Sequence, residues 1–103
     1  MITYDFHPEV RFDLDEIWQF IAADSPPAAD RLIAEIIEAI DAVVTFPGIG
    51  HRRPDLTSRP LRFILVYDYL IAYAPDEKPL WVVAVIHGRR SPRLMAAILR
   101  SRE

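Results

Sequence analysis

Along the first six residues apolar and polar positions alternate, with Ile2, Tyr4 and Phe6 set against Thr3 and Asp5. A period of two predicts a short strand, which Pro8 ends. From Glu9 the period lengthens. Val10, Leu14, Ile17, Trp18 and Ile21 fall on one helical face while Glu9, Asp13, Glu16 and Gln19 face outward, so a first helix is expected to run to about Ala23. Asp24-Ser25-Pro26-Pro27 breaks that helix and starts another, because Ser25 can cap a helix whose first position, Pro26, has no N–H to leave unsatisfied. The second helix carries an apolar stripe of Ala29, Leu32, Ile33, Ile36, Ile37, Ile40, Val43 and Val44, with Asp30, Glu35, Glu38 and Asp41 opposite. Two amphipathic helices with so short a link must pack antiparallel, as a hairpin.

Pro47-Gly48-Ile49-Gly50 stops the second helix, and the polar stretch that follows to Pro60 reads as a loop. Leu61 to Tyr67, Tyr69 to Ala74 and Leu80 to His87 are rich in β-branched and aromatic residues and predict three strands, the last two separated by the Pro75–Pro79 turn. The pivot near Asp68 lacks the usual two-residue hairpin chemistry. Ser91-Pro92 repeats the cap-then-proline signal and opens a short terminal helix with Leu94, Met95, Ile98 and Leu99 on its apolar side. The predicted fold is α+β, in the order β-α-α-β-β-β-α, with the helical hairpin packed on one face of a mostly antiparallel four-stranded sheet. Its expected core is Leu14, Ile17, Ile36, Ile37 and Ile40 against Ile64, Val83 and Val85, with Trp18, Phe20 and Trp81 also placed mainly inside.

At 103 residues, 51% apolar and 26% charged, the chain has the size and balance of one folded domain over residues 1–103, which excludes repeat arrays and multidomain enzymes. The absence of cysteine removes thiol nucleophiles, disulfides and cysteine-containing metal sites. Met1 to Val10 shows no basic segment leading into an apolar one, and the longest apolar run, Leu80 to Ile86, is too short to span a bilayer; a cytoplasmic location without membrane contact is expected. Charge is divided along the chain. Residues 1–50 hold two basic and ten acidic side chains, and residues 51–103 hold ten basic and five acidic ones. The basic half, its exposed strand edges and the preponderance of arginine suit an acidic, amphipathic protein segment or a polyanion, bound in a groove or as an added strand.

Histidines 7, 51 and 87 have no metal-binding spacing, and Gly48-Ile49-Gly50 lacks the rest of a nucleotide-binding fingerprint, so neither a metal nor another cofactor is expected. Asp13, Asp15 and Glu16 read as a solvated helix flank. The candidate functional surface is a polar cluster bracketing the sheet: Arg52, Arg53, Arg59 and Arg62 before or at the opening of the second strand, and His87, Arg89 and Arg90 after the fourth. Brought together at neighbouring strand ends, these groups would hold a phosphodiester or a partner's carboxylates.

Leu14-x-x-Ile17-Trp18-x-x-Ile21-Ala22-x-Asp24-x-Pro26-x-Ala28-Ala29-x-Arg31, then Phe46-Pro47-x-x-Gly50, Leu61-Arg62, Tyr69-Leu70-Ile71-Ala72-Tyr73 and Val85-Ile86-His87-Gly88-Arg89-Arg90 resemble the RelE/ParE superfamily of bacterial toxins in order and spacing. The resemblance implies the toxin of a type II toxin–antitoxin pair, associated with plasmid stabilisation and growth arrest and held in a hetero-oligomer by a cognate antitoxin. It also implies one of two targets. RelE-like members cut mRNA on the ribosome, commonly with a basic residue in the third strand and a tyrosine near the carboxyl end. Leu70 and Leu94 stand at or near those places here, which favours the ParE-like branch and inhibition of DNA gyrase. The alternatives are a RelE-like ribonuclease using His87, Arg62, Arg89 and Arg90, and a non-toxic module that only binds antitoxin.

Overall fold

The computed structural model describes residues 3–103, so Ile2 of the predicted first strand lies outside the described residues. Among these, the elements are β1 (Tyr4–Phe6), α1 (Val10–Ala22), α2 (Pro26–Thr45), a single 3-10 turn at Pro47–Ile49, β2 (Arg62–Val66), β3 (Tyr69–Ala74), β4 (Leu80–His87) and α3 (Pro92–Arg100). The order is the one the periodicity predicts. Both cap-then-proline signals are used as such: Ser25 Oγ accepts the Ala28 N–H at 3.3 Å and Ser91 Oγ accepts the Leu94 N–H at 3.1 Å, each with proline opening the helix behind it.

The strands lie in the order β1-β4-β3-β2. β2 with β3 and β3 with β4 are antiparallel, but β1 runs parallel to β4, so the sheet is mixed rather than mostly antiparallel. No hairpin constrains the direction of β1. The long passage through α1, α2 and the following loop gives the chain ample length for the crossover that a parallel neighbour requires. Val66 faces Tyr69 across the β2–β3 turn, which makes Tyr67-Asp68 a two-residue hairpin loop after all, with Tyr67 in the left-handed region at φ 52°. Glycine or asparagine is the usual occupant there, which is why the sequence offers so weak a turn signal.

A bulge in β4 divides the interior. Ala72 faces Ala84 and Tyr73 faces Val82, which leaves Val83 without a partner. Val82 and Val85 therefore point to the helical hairpin, where they pack with Val10, Ile17, Ile36, Ile40 and Val43. Val83 and Ile86 point to the other face, where Leu56, Leu61, Met95 and Leu99 cover them. This corrects the expectation that Val83 and Val85 share one core. Leu14, Ile37 and Ile64 are half-buried at the margin of the first cluster, and Trp81 is half-buried against the second. Trp18 and Phe20 are not core residues: Trp18 is exposed, its Nε1–H donating to Asp30 Oδ1 at 2.8 Å, and Phe20 is 72% exposed. The sheet and α2 cover the stripe of α1 that holds Val10 and Ile17, and Phe20 stands outside it.

Candidate functional site

The sheet separates the seven candidate residues into two groups. Arg62 opens β2 opposite Tyr73, while His87 ends β4 opposite Tyr69. Two successive antiparallel pairings make β2 and β4 run the same way, so the start of one and the end of the other lie at opposite ends of the sheet, roughly 13 Å apart along β3. Around Arg62 the groups build a loop. Arg62 Nη1 donates to the carbonyls of Gly50 at 2.7 Å and Gly48 at 3.4 Å, and the Tyr73 hydroxyl donates to the Pro47 carbonyl at 2.7 Å while accepting the Gly50 N–H at 3.0 Å. Burial pushes the Tyr73 phenol above its ordinary range, opposed by the Gly50 hydrogen bond and the Arg62 charge. A Cβ at Gly50 would stand 2.5 Å from the Tyr73 hydroxyl, so this approach requires glycine. Arg53 grips Asp55 through two hydrogen bonds of 3.0 and 2.8 Å, which raise the arginine's pKa and lower the carboxylate's. Arg59 Nη1 donates to the Leu99 carbonyl at 3.1 Å, tying the loop to the end of α3. Arg52 is exposed, with no carboxylate partner among the described residues.

At the other end His87, Arg89 and Arg90 do come together. They line a trough of about 550 Å³ between α1, β4 and α3, with Ile17 and Phe20 on one wall and Ile98 on the other. His87 packs edge-on against Tyr69 with centroids 5.2 Å apart, and its Nδ1 accepts the Arg89 N–H at 3.1 Å. Burial, helped by Asp68, raises the Tyr69 phenol above its usual range, further from any exchange of protons near neutrality. Arg89 has no carboxylate partner among the described residues, and Arg90 lies 3.9 Å from an exposed Glu16, an ion pair of little energetic weight.

One wall of the trough contains a pair that the sequence pattern does not announce. Arg102 holds Asp13 with both terminal guanidinium nitrogens, Nη2 to Oδ1 at 2.7 Å and Nη1 to Oδ2. The same Nη1 donates to the Val83 carbonyl at 3.1 Å, and Asp13 Oδ2 accepts the Val85 N–H at 3.0 Å. β1 ends at Phe6 opposite Val82, and from there the ion pair takes over its role, satisfying the polar groups of the β4 edge that the bulge turns outward. The side chains of Arg102 and Asp13 are only 10% and 14% exposed, and the hydrogen bonds to Asp13 raise the Arg102 pKa. Asp13 is thus no solvated flank residue. Its one sequence signal is position: three residues after Val10 and four before Ile17, it shares their helix face. Nothing local marks Arg102, which lies 89 residues away.

The family model for the ParE toxin of type II toxin–antitoxin systems, parDE, matches residues 4–92. The chain belongs to this family. The match includes Asp13 and the His87–Arg90 segment and stops short of Arg102. The toxin is also 32% identical over 78 residues to the protein named Putative toxin Y4kP of Sinorhizobium fredii, an alignment covering 75% of this chain and 78% of that relative. Membership implies that the toxin has an antitoxin protein as partner. Among the described residues no helix is long and apolar enough to cross a membrane.

Proposed function

We propose that this toxin acts in the cytoplasm as one domain over residues 1–103, inhibits DNA gyrase, needs no cofactor, and is neutralised in a hetero-oligomer with its cognate antitoxin. The observation that carries the choice of target is Leu70. In β3, where the RelE resemblance calls for a basic residue, this side chain is 8% exposed and packs into the second core beneath α3. Leu94, near the place where the resemblance calls for a tyrosine, brings no proton donor there either. A positioned acid or base is worth typically about 10²–10⁴ in rate, so losing both would leave message cleavage very slow. Binding to gyrase asks for a surface instead, and exposed Arg89 and Arg90 at the lip of the trough suit that role.

The test gives purified toxin either to gyrase with supercoiled plasmid or to translating ribosomes with a defined message. Gyrase should be inhibited and the message left intact. In cells, Arg89→Ala with Arg90→Ala should relieve growth arrest, and thermal unfolding should shift little, since exposed substitutions usually change stability by within about 0.5 kcal/mol. Cleavage of the message at the ribosomal A site, abolished by His87→Ala and unaccompanied by any effect on gyrase, would replace this reading with the ribonuclease one.

A further inference from the structure

We infer that the outward face of α3, which carries Arg93 and Arg100, binds the phosphate backbone of duplex DNA, with Arg89 and Arg90 extending the contact beyond the start of the helix. The inference goes beyond the gyrase reading and rests on it only for its setting, since the substrate of gyrase is duplex DNA. Residues 87–102 contain five arginines and no acidic residue. Arg102 is engaged by Asp13, whereas Arg89, Arg93 and Arg100 are exposed and without a carboxylate partner among the described residues, and Arg90 has only its 3.9 Å contact to Glu16. Met95 and Leu99 turn the other side of α3 into the second core, so Arg93, Ala97 and Arg100 face away from the sheet. Seven residues are two helical turns less about 20°, which sets Arg93 and Arg100 in one row with their Cα atoms about 10 Å apart, roughly three base-pair steps along a strand.

The charge distribution lets a polyanion approach this side. The helical hairpin packs on the opposite face of the sheet and holds the exposed Asp15, Asp24, Asp30, Glu38 and Asp41, while on the α3 side Asp55 is neutralised by Arg53. A net charge of −3 therefore conceals a basic face. α3 is also firmly seated: Arg59 binds the Leu99 carbonyl and Arg102 clamps Asp13, so the arginines are presented without a helix having first to be ordered. A duplex fits better than a single strand, because residues 88–103 contain no aromatic ring on which an unpaired base could stack. A protein fits less well too, since the only large apolar side chain that α3 exposes is Leu94, at 43%, a thin anchor for an interface. Arginines on a helix seated flat against a sheet address phosphates rather than base edges, so binding without sequence preference is expected.

The test titrates the full-length toxin against a fluorescent DNA duplex of about 20 base pairs, read by anisotropy between about 50 and 200 mM salt, with thermal melting to confirm that each variant is folded. Affinity should fall with salt at a log–log slope of about −0.9 per phosphate neutralised, and Arg93→Gln with Arg100→Gln should reduce that slope by about 2 and weaken binding about ten-fold or more at the lowest salt. The exposed Lys78→Gln, in the turn between β3 and β4, should stay within about three-fold of wild type. A double variant with wild-type affinity and slope would overturn the inference. So would tighter binding of a single strand of the same length, or no binding by the wild type at the lowest salt. Gyrase supercoiling measured in parallel separates the two readings: a toxin that inhibits gyrase but fails these binding tests keeps its target and loses this face, and one that binds duplex as expected but leaves gyrase active keeps the face and loses its target.

Discussion

Removing the Asp13 carboxylate would leave the Arg102 guanidinium and the Val85 N–H without their acceptor at one stroke. Breaking a fully buried pair costs about 3–5 kcal/mol, and because some solvent reaches this one, Asp13→Ala and Arg102→Ala are each expected to cost about 2–4 kcal/mol. In urea denaturation the double variant should reveal a coupling of at least about 1 kcal/mol; simple additivity would show that the pair does not act as a unit. Tyr73 gives a second test. Its raised pKa means that the folded protein holds the phenolic proton more tightly than the unfolded chain, whose tyrosines titrate near 10.0. The associated stability is complete below that pH and is lost as pH rises through the folded value. Tyr73→Phe should therefore flatten the alkaline limb of a stability–pH profile, while costing about 1–3 kcal/mol at neutral pH because the Pro47 carbonyl and Gly50 N–H lose their bridge.

The elements differ in how much of their stability is their own. α2 spans Pro26–Thr45, is capped by Ser25, and buries Ile36 and Ile40 completely. Ile36→Ala should cost about 2–5 kcal/mol in chemical denaturation, and a loss below about 0.5 kcal/mol would remove it from the core. α3 is only 9 residues long, too short to persist alone. Met95 and Leu99 bury its inner face, and the Arg59 bond to the Leu99 carbonyl and the Arg102 clamp on Asp13 fasten its far end. Here local signals predict existence, whereas attachment depends on residues contributed by the loop and by α1.

At the scale of the whole molecule, the acidic first half forms β1 and the helical hairpin, and the basic second half forms the rest of the sheet, its loops and α3. Only part of the basic charge is available to a partner, since Arg53, Arg59, Arg62 and Arg102 are engaged within the fold. Association with the antitoxin should slow as ionic strength rises, because screening acts within about 10 Å at 0.1 M salt, and the Arg89→Glu, Arg90→Glu variant should flatten or invert that dependence. A stopped-flow rate indifferent to salt would remove steering from the account.

Periodicity and capping alone determined which segments become helix and strand, their order, and the inward stripes of α1 and α2, because those signals couple residues two, three or four apart and are written locally. Of the polar cluster that the sequence places around the sheet, His87, Arg89 and Arg90 are near neighbours in the chain and line one trough together. Tertiary structure alone decided the parallel placement of β1, the bulge that turns Val83 away from Val85, and the separation of Arg62 from His87. It also decided the joining of Asp13 to Arg102. Each of these depends on register and direction between segments far apart in the sequence, set when whole faces are buried together, and no spacing within a segment records which residues will then meet.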